Sequence, residues 1–379
     1  MAAKHIVLVG GGHAHVHVMR ALAGALPAGW RVTLVSPSRL TPYSGMLPGY
    51  VAGIYTLEEA HIDLDWLARE TGTSFHRTRA VGIDRDRRLV MTDDGEKVPY
   101  DLLSLDIGIT PALDAIPGAA EHGIAVKPIA AFVEKFEALR RAARSPDGPR
   151  RIAVVGGGAG GVELLLSLHA RLRRETAAAG SDPGSCSFAL VTSGALLATH
   201  NERVRDAFRR DLAAKGIALH ENTAVAAVEA DGLRLAGGGC LAADAVLVTT
   251  HARAPGWLAV TGLALDDKGF IAVGPTLQNL EDPRVFAAGD CAALVEAPRE
   301  KAGVYAVRAG PPLARNLIAM AGGKEPQPWR PQKRHLALIS TGEKYAVASR
   351  GAFKAEGAWL WRLKDWIDRR WMDRYRARE

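Results

Sequence analysis

The chain opens on an apolar run, Ile6-Val7-Leu8-Val9, that passes directly into Gly10-Gly11-Gly12 and then into a helix-like segment, Val16 to Leu26. The same order returns at Arg151, where Ile152-Ala153-Val154-Val155 leads into Gly156-Gly157-Gly158-Ala159-Gly160-Gly161 and an apolar helix from Val162 to Leu172. Short unbroken apolar runs ending at glycine predict strands buried on both faces, and apolar positions recurring every three or four residues predict helices. Further strands are expected at Arg31–Val35, Ser74–His76, Arg79–Asp84, Arg88–Thr92, Tyr100–Leu105, Phe188–Val191, Ala224–Glu229, Leu233–Leu235, Ala245–Thr250 and Val285–Ala288. Helices are expected at Ile129–Arg144, at 202–215 and within Lys301–Asn316. Strand and helix alternate, which predicts an α/β protein built on parallel sheets.

The two glycine turns carry chemistry. A strand, a glycine turn and a helix together form a dinucleotide site: the first glycine permits the tight turn and the second lets the backbone approach a pyrophosphate. The helix N-terminus then presents free N–H groups and a positive dipole end. Gly156, Gly158 and Gly161 fill all three glycine places of the second turn. In the first turn His15 stands at the third place, so a local rearrangement is expected there. Two such units in one chain suggest two dinucleotides, and hence electron transfer between them. The strand that follows each turn commonly ends in an acid that holds a ribose; here Ser36 and Thr192 stand at those ends. Adenosine recognition is therefore weaker than pyrophosphate recognition, and NADH is not distinguished from NADPH.

Three other stretches add to this. Val285-Phe286-Ala287-Ala288 stops at Gly289-Asp290, where a glycine admits close approach and an acid can accept hydrogen bonds from a polyhydroxyl chain. The strand Tyr100–Leu105 ends in Asp106-Ile107-Gly108-Ile109-Thr110-Pro111, another place for backbone to meet a ligand. In the tail, Trp359, Leu363, Trp366, Ile367 and Trp371 fall at helical spacing among arginines and lysines. That pattern suits packing on the body or a second subunit, and also a membrane surface.

Composition narrows the class. Of 379 residues, 48% are apolar and 23% charged, as in a soluble globular protein of two or three domains. No apolar stretch reaches the length of a membrane span and the chain starts directly on a strand, so a cytoplasmic location is the default expectation. Cys186, Cys240 and Cys291 form no C-x-x-C pair, so no local redox dithiol is indicated. A net charge of +7 suits anionic cofactors, whereas no recognition motif supports nucleic-acid binding. His13 and His17 have metal-compatible spacing, but phosphate-side and packing roles account for the histidine cluster and no metal is expected.

In this order, Gly10–Gly12, Tyr100–Pro111, Gly156–Glu163 and Phe286–Asp290 resemble pyridine nucleotide–disulfide oxidoreductase-like flavoproteins, and within them the type II NADH dehydrogenase and sulfide:quinone oxidoreductase branch. Gly12–Val16, Thr41–Pro48 and Trp361–Arg369 look most like the FAD-dependent domain associated with selenide, water dikinase, whose kinase portion is absent here. The resemblance implies two Rossmann-like domains. A discontinuous FAD domain takes 1–115 and 265–325, an inserted NAD(P)H domain takes 116–264, and a C-terminal interface region takes 326–379.

It implies FAD against Gly10, Gly11, Gly12, His13, Ala14, Ser36, Pro37, Ser38, Arg39, Pro42, Tyr43, Ser44, Val81, Ile107, Gly108, Gly289, Asp290 and Tyr305. It implies NAD(P)H against Gly156, Gly158, Ala159 and Gly161, with Glu163 near nicotinamide and flavin and Lys344 on the quinone side as catalytic residues. The implied function is electron transfer from NAD(P)H through FAD to a small-molecule acceptor, a quinone or a selenium or sulfur species. The alternative is a flavin-binding partner or regulatory module of selenide, water dikinase without nicotinamide turnover. Trp359–Glu379 would face the inner side of a membrane or a protein partner, and a homodimer is left open.

Overall fold

A computed structural model describes residues 3–145, 147–180, 182–250 and 252–376. The first unit begins with β1 (Lys4–Val9), α1 (His13–Leu22), β2 (Trp30–Val35), β3 (Ser74–His76) and β4 (Leu102–Leu105). The second unit contains β5 (Gly123–Ala125), α2 (Ile129–Ala142), β6 (Arg151–Val155), α3 (Ala159–Ala178) and β7 (Ser187–Val191), followed by α4 (Glu202–Ala214), β8 (Ala218–His220) and β9 (Ala245–Val248). The chain then returns to the first sheet as β10 (Val285–Ala287) and covers it with α5 (Gly303–Ala321). It ends in an antiparallel sheet of β11 (Ala337–Ser340), β12 (Ala346–Arg350) and β13 (Phe353–Gly357), followed by α6 (Ala358–Met372).

The two main sheets share one plan. The first runs β10-β4-β1-β2-β3 and the second β5-β9-β6-β7-β8, with every pairing parallel. Strand order reverses beside β1 in one sheet and beside β6 in the other. Ligands of open parallel sheets bind in the crevice outside the carboxyl ends of strands at such reversals. Gly10 follows β1 and Gly156 follows β6, so the sequence places its two glycine turns at the two crevices.

The strands are buried because both faces are covered. Ile6, Val7 and Leu8 in β1 and Val154 in β6 have no exposed surface, and helices pack on each side. Fully burying such a side chain contributes about 1.5–3 kcal/mol.

Several boundaries differ from the sequence expectation. Helix α1 begins at His13 rather than Val16, directly on the glycine turn. The segment 41–49, expected as loop, contributes Leu40–Pro42, which pairs with His61–Asp63, and a short helix from Leu47 to Val51. The helix Leu64–Thr71, capped by the Asp63 side chain, and the sheet β11–β13 were not anticipated. In α6, Leu360, Trp361, Asp368, Trp371 and Met372 face the body, while Trp359, Trp366 and Ile367 are exposed. Residues 377–379 of the tail lie outside the described residues.

Candidate functional site

The first glycine turn is built around Asp106. Gly10 has φ +93°, and a Cβ there would collide with the Asp106 carbonyl. A Cβ on Gly12 would fall on the Asp106 carboxylate, and one on Gly289 would fall on its Oδ1. That carboxylate accepts from the Ala14 N–H at 2.8 Å and the His15 N–H at 3.2 Å, satisfying two of the free donors of α1. Asp106 is 4% exposed, and burial pushes its carboxyl up to about 7, against the pull of the two amides.

His15 accounts for the missing third glycine. It is fully buried, with Nδ1 donating to the Gly10 carbonyl at 2.6 Å and Nε2 accepting from the Ser104 hydroxyl at 2.8 Å. Burial holds it neutral, with a pKa lowered to about 4. Where a glycine would bring helix and strand close, an imidazole ties turn, helix and β4 together instead. The other two histidines have different partners: His13 Nε2 accepts from the Ser44 N–H at 3.2 Å, and His17 Nδ1 lies 3.1 Å from the Tyr375 hydroxyl.

This turn fits a dinucleotide phosphate. Gly12, at the start of α1, has no side chain of its own to cap the helix, Asp106 takes the Ala14 and His15 amides, and the Gly12 and His13 amides have no protein acceptor among the described residues. Ser36 is buried, with Oγ beside Gly11, whereas Pro37 and Arg39 are exposed and Ser38 is half-buried. Arg39 is engaged by Asp63 at 2.5 Å. Tyr43 and Ser44 lie beside His13, with the Tyr43 ring stacked on Trp371 at 4.4 Å, and Pro42 pairs with His61. Ile107 and Gly108 follow Asp106, and a Cβ on Gly108 (φ +70°) would meet nothing within 4 Å. Asp290 is held by Lys127 at 2.7 Å. Val81 lies 42% exposed on the antiparallel strand Ala80–Asp84, and Tyr305 packs edge-on against His335 in a separate hollow.

The second turn keeps the full glycine pattern. Gly156 has φ +127° and a Cβ on Gly161 would strike the Gly156 carbonyl, so α3 can approach β6 only with glycine there. Gly158 and Gly160 face open space, Ala159 starts the helix, and no side chain caps it. These features leave room for a phosphate at the helix end.

Glu163, at the start of the second turn of α3, meets the other parts of the chain. Its Oε1 accepts from the Ser340 N–H at 2.7 Å. Burial pushes its carboxyl up, and the charge of Lys364 opposes the shift. Lys364 comes from α6 and has a side chain 13% exposed; Nζ donates to the Gly45 carbonyl at 2.6 Å and to Asp368 at 2.7 Å. Burial alone would pull Lys364 down, but Asp368 and Glu163 outweigh it and hold the ammonium above the ordinary lysine value. Burial and then Asp368 push the Tyr43 hydroxyl above the ordinary tyrosine value. A cavity of about 10 Å³, room for one water, lies among Tyr55, Ser340, Trp361 and Lys364.

Lys344 is exposed, its Nζ 5.6 Å from the Trp361 ring. The lysine whose charge bears on Glu163 is Lys364. Sequence reasoning missed Lys364, Asp368, Asp106 and Lys127. Only Asp106 left a trace, as an acid at the end of an apolar strand just before a glycine.

A family model described as pyridine nucleotide-disulphide oxidoreductase matches residues 4–321. An NADH dehydrogenase-like protein of Mycobacterium tuberculosis is 29% identical over 269 residues, covering 68% of this chain and 65% of the relative's own length. The type II NADH:quinone oxidoreductase of Haemophilus influenzae is 26% identical over 369 residues, covering 85% and 81%. The fold is shared with the sulfide:quinone oxidoreductase of Aquifex aeolicus, at TM-score 0.82 and 19% identity over 99% of this chain and 92% of that one. With two glycine turns at two sheet reversals and a matching family model over most of its length, the chain belongs to the pyridine nucleotide-disulphide oxidoreductase family.

Proposed function

We propose that this chain takes electrons from NAD(P)H and passes them through FAD to a second acceptor, a quinone in the favoured reading. The observation that carries it is the meeting of Glu163, from the second dinucleotide unit, with Lys364 and the Tyr43–Gly45 loop of the first. In this reading 1–115 and 265–325 hold FAD, 116–264 hold NAD(P)H, and 326–379 cover the junction. Bound FAD supplies hydride acceptance and onward electron release. The Gly12 and His13 amides would bind its diphosphate, and Asp290, anchored by Lys127, would accept from its ribityl hydroxyls. The Glu163 carboxyl, which burial makes easier to protonate, is placed to pass a proton to a reduced acceptor, with the Lys364 ammonium steadying the carboxylate that forms.

A quinone is favoured over a sulfur or selenium species because buried Trp361 and Tyr55 give the junction beside Lys364 an aromatic lining. Cys186 and Cys291 are buried, Cys240 is exposed, and no two of them share a C-x-x-C spacing, so the sequence offers no local dithiol for sulfur transfer. The exposed Trp359, Trp366 and Ile367 would meet the inner face of a membrane, a protein partner or a second subunit. No helix among the described residues is long and apolar enough to cross a membrane.

A second reading is a flavin-binding partner of selenide, water dikinase. It is favoured by the way Gly12–Val16, Thr41–Pro48 and Trp361–Arg369 adjoin: His13 touches Tyr43, and Lys364 reaches Gly45. Anaerobic titration with NADH and separately with NADPH, followed at the visible flavin band, decides between them. Bleaching by either donor is expected, after which quinones are compared as acceptors. A yellow protein that neither donor reduces would overturn the first reading in favour of the second.

A further inference from the structure

Beside the second glycine turn, whose Gly157 carbonyl accepts from the Leu197 N–H three residues before His200, a hollow of about 320 Å³ opens where three parts of the chain meet. The segment leading into α4 brings His200, the first turn of α5 brings Tyr305, and the C-terminal sheet with the irregular segment leading to it brings Lys333, Arg334, His335 and Arg350. This volume lies within the range of small-molecule sites, roughly 300–1,000 Å³.

The charge balance around it is unusual. Lys333, Arg334 and Arg350 have neither an ion pair nor a hydrogen-bond acceptor among the described residues. The one carboxylate at the rim, Glu300, faces His335 at 3.6 Å. Arginines beside a carboxylate elsewhere pair with it, as Arg151 does with Asp244 and Arg209 with Glu221, whereas these three cations are solvent-exposed at the rim. Three like charges gathered around one cavity repel each other, and that repulsion is relieved when an anion enters.

The walls are held in place. His200 Nδ1 is bonded to the Ser349 hydroxyl at 2.8 Å, which leaves its Nε2 without a protein partner among the described residues. The Asn201 amide donates to the Gly351 carbonyl at 2.8 Å. Arg334 lies across Gly351 so closely that a Cβ there would come within 2.8 Å of its Nη1, and Gly351 has φ +58°. Two guanidinium forks, one ammonium, a free imidazole nitrogen and the Tyr305 hydroxyl suit a tetrahedral, multiply charged oxyanion better than a single carboxylate.

We propose that this hollow binds a compact phosphate-bearing ligand, and that the ligand ties the second unit, α5 and the C-terminal sheet together. The phosphate belongs either to a nicotinamide dinucleotide or to a separate phosphorylated small molecule.

The test is calorimetric titration of the full-length protein with inorganic pyrophosphate at low salt, in the presence and absence of saturating NADH. Saturable one-to-one binding is expected, weakened at least tenfold in the Arg334→Gln/Arg350→Gln double variant and weakened by added salt. Lys333→Ala is the second variant, and an unchanged melting temperature in either shows that folding is intact. Loss of pyrophosphate binding under NADH assigns the hollow to the dinucleotide; unchanged binding assigns it to a separate ligand. Absence of saturable binding, or wild-type affinity in both variants, overturns the proposal. Flavin bleaching by NADH or NADPH, measured on the same samples, reports on the oxidoreductase reading independently.

Discussion

The carboxylate of Asp106 accepts a hydrogen bond from the backbone N–H of His15 at 3.2 Å, across 91 positions of sequence. His15 in turn bridges the Gly10 carbonyl and Ser104. A turn that lacks its third glycine is thus closed by an acid and an imidazole.

Gly12→Val should empty the flavin site. Any Cβ at Gly12 lands on the Asp106 carboxylate, so either the turn moves or the helix cap is lost. Crowding of this kind costs about 1–3 kcal/mol. The ratio of visible flavin absorbance to protein absorbance should fall to a small fraction of wild type; full stoichiometric FAD in purified Gly12→Val would contradict the geometry.

Asp106→Asn should change how stability depends on pH. The Asp106 carboxyl is raised from 3.8 to about 7 on folding, so between those values the unfolded chain releases a proton that the folded chain keeps. Stability from this group is therefore full below pH 3.8, falls as pH rises toward 7, and is flat above. The loss is roughly 4 kcal/mol at the most. Asparagine still offers an oxygen to Ala14 and His15 but does not titrate. Melting curves from pH 4 to 8 should show wild type losing ground to Asp106→Asn as pH rises, and parallel curves would rule out this assignment.

Lys364→Met should destabilise the protein by about 3 kcal/mol, because it leaves Asp368 buried with no cation. Removing both charges in Lys364→Met/Asp368→Leu should recover much of that loss. Thermal unfolding of the single and double variants measures the difference. If the double variant is no better than the single, Lys364 acts mainly through Gly45 or Glu163.

Glu163→Ala should retain FAD while slowing flavin reduction or reoxidation. The side chain contacts Ser340 and lies near Lys364, away from the Gly12 and His13 amides that would hold the diphosphate. Stopped-flow absorbance with NAD(P)H, then with a quinone, separates the two half-reactions. Rates indistinguishable from wild type in both would remove Glu163 from the mechanism.

The elements with local signatures were the legible ones. Apolar runs ending at glycine placed β1, β6 and β10, and both dinucleotide turns, because a turn needing φ of +93° or +127° selects glycine whatever lies elsewhere. The sheet β11–β13 escaped notice because its strands are short and mixed in character. Lys344 was singled out and Lys364 was not, and nothing within a few residues of either says which will be enclosed.

What the sequence by itself determined is the pair of dinucleotide units, their order and the helices that follow them, since those rest on turn chemistry and periodicity within a dozen or so residues. Which charges face one another was decided only by the tertiary structure. Glu163 meets Lys364, Asp106 caps α1 and Lys127 reaches Asp290 across 163 positions, because packing of the units sets which groups lose water together and so need a partner.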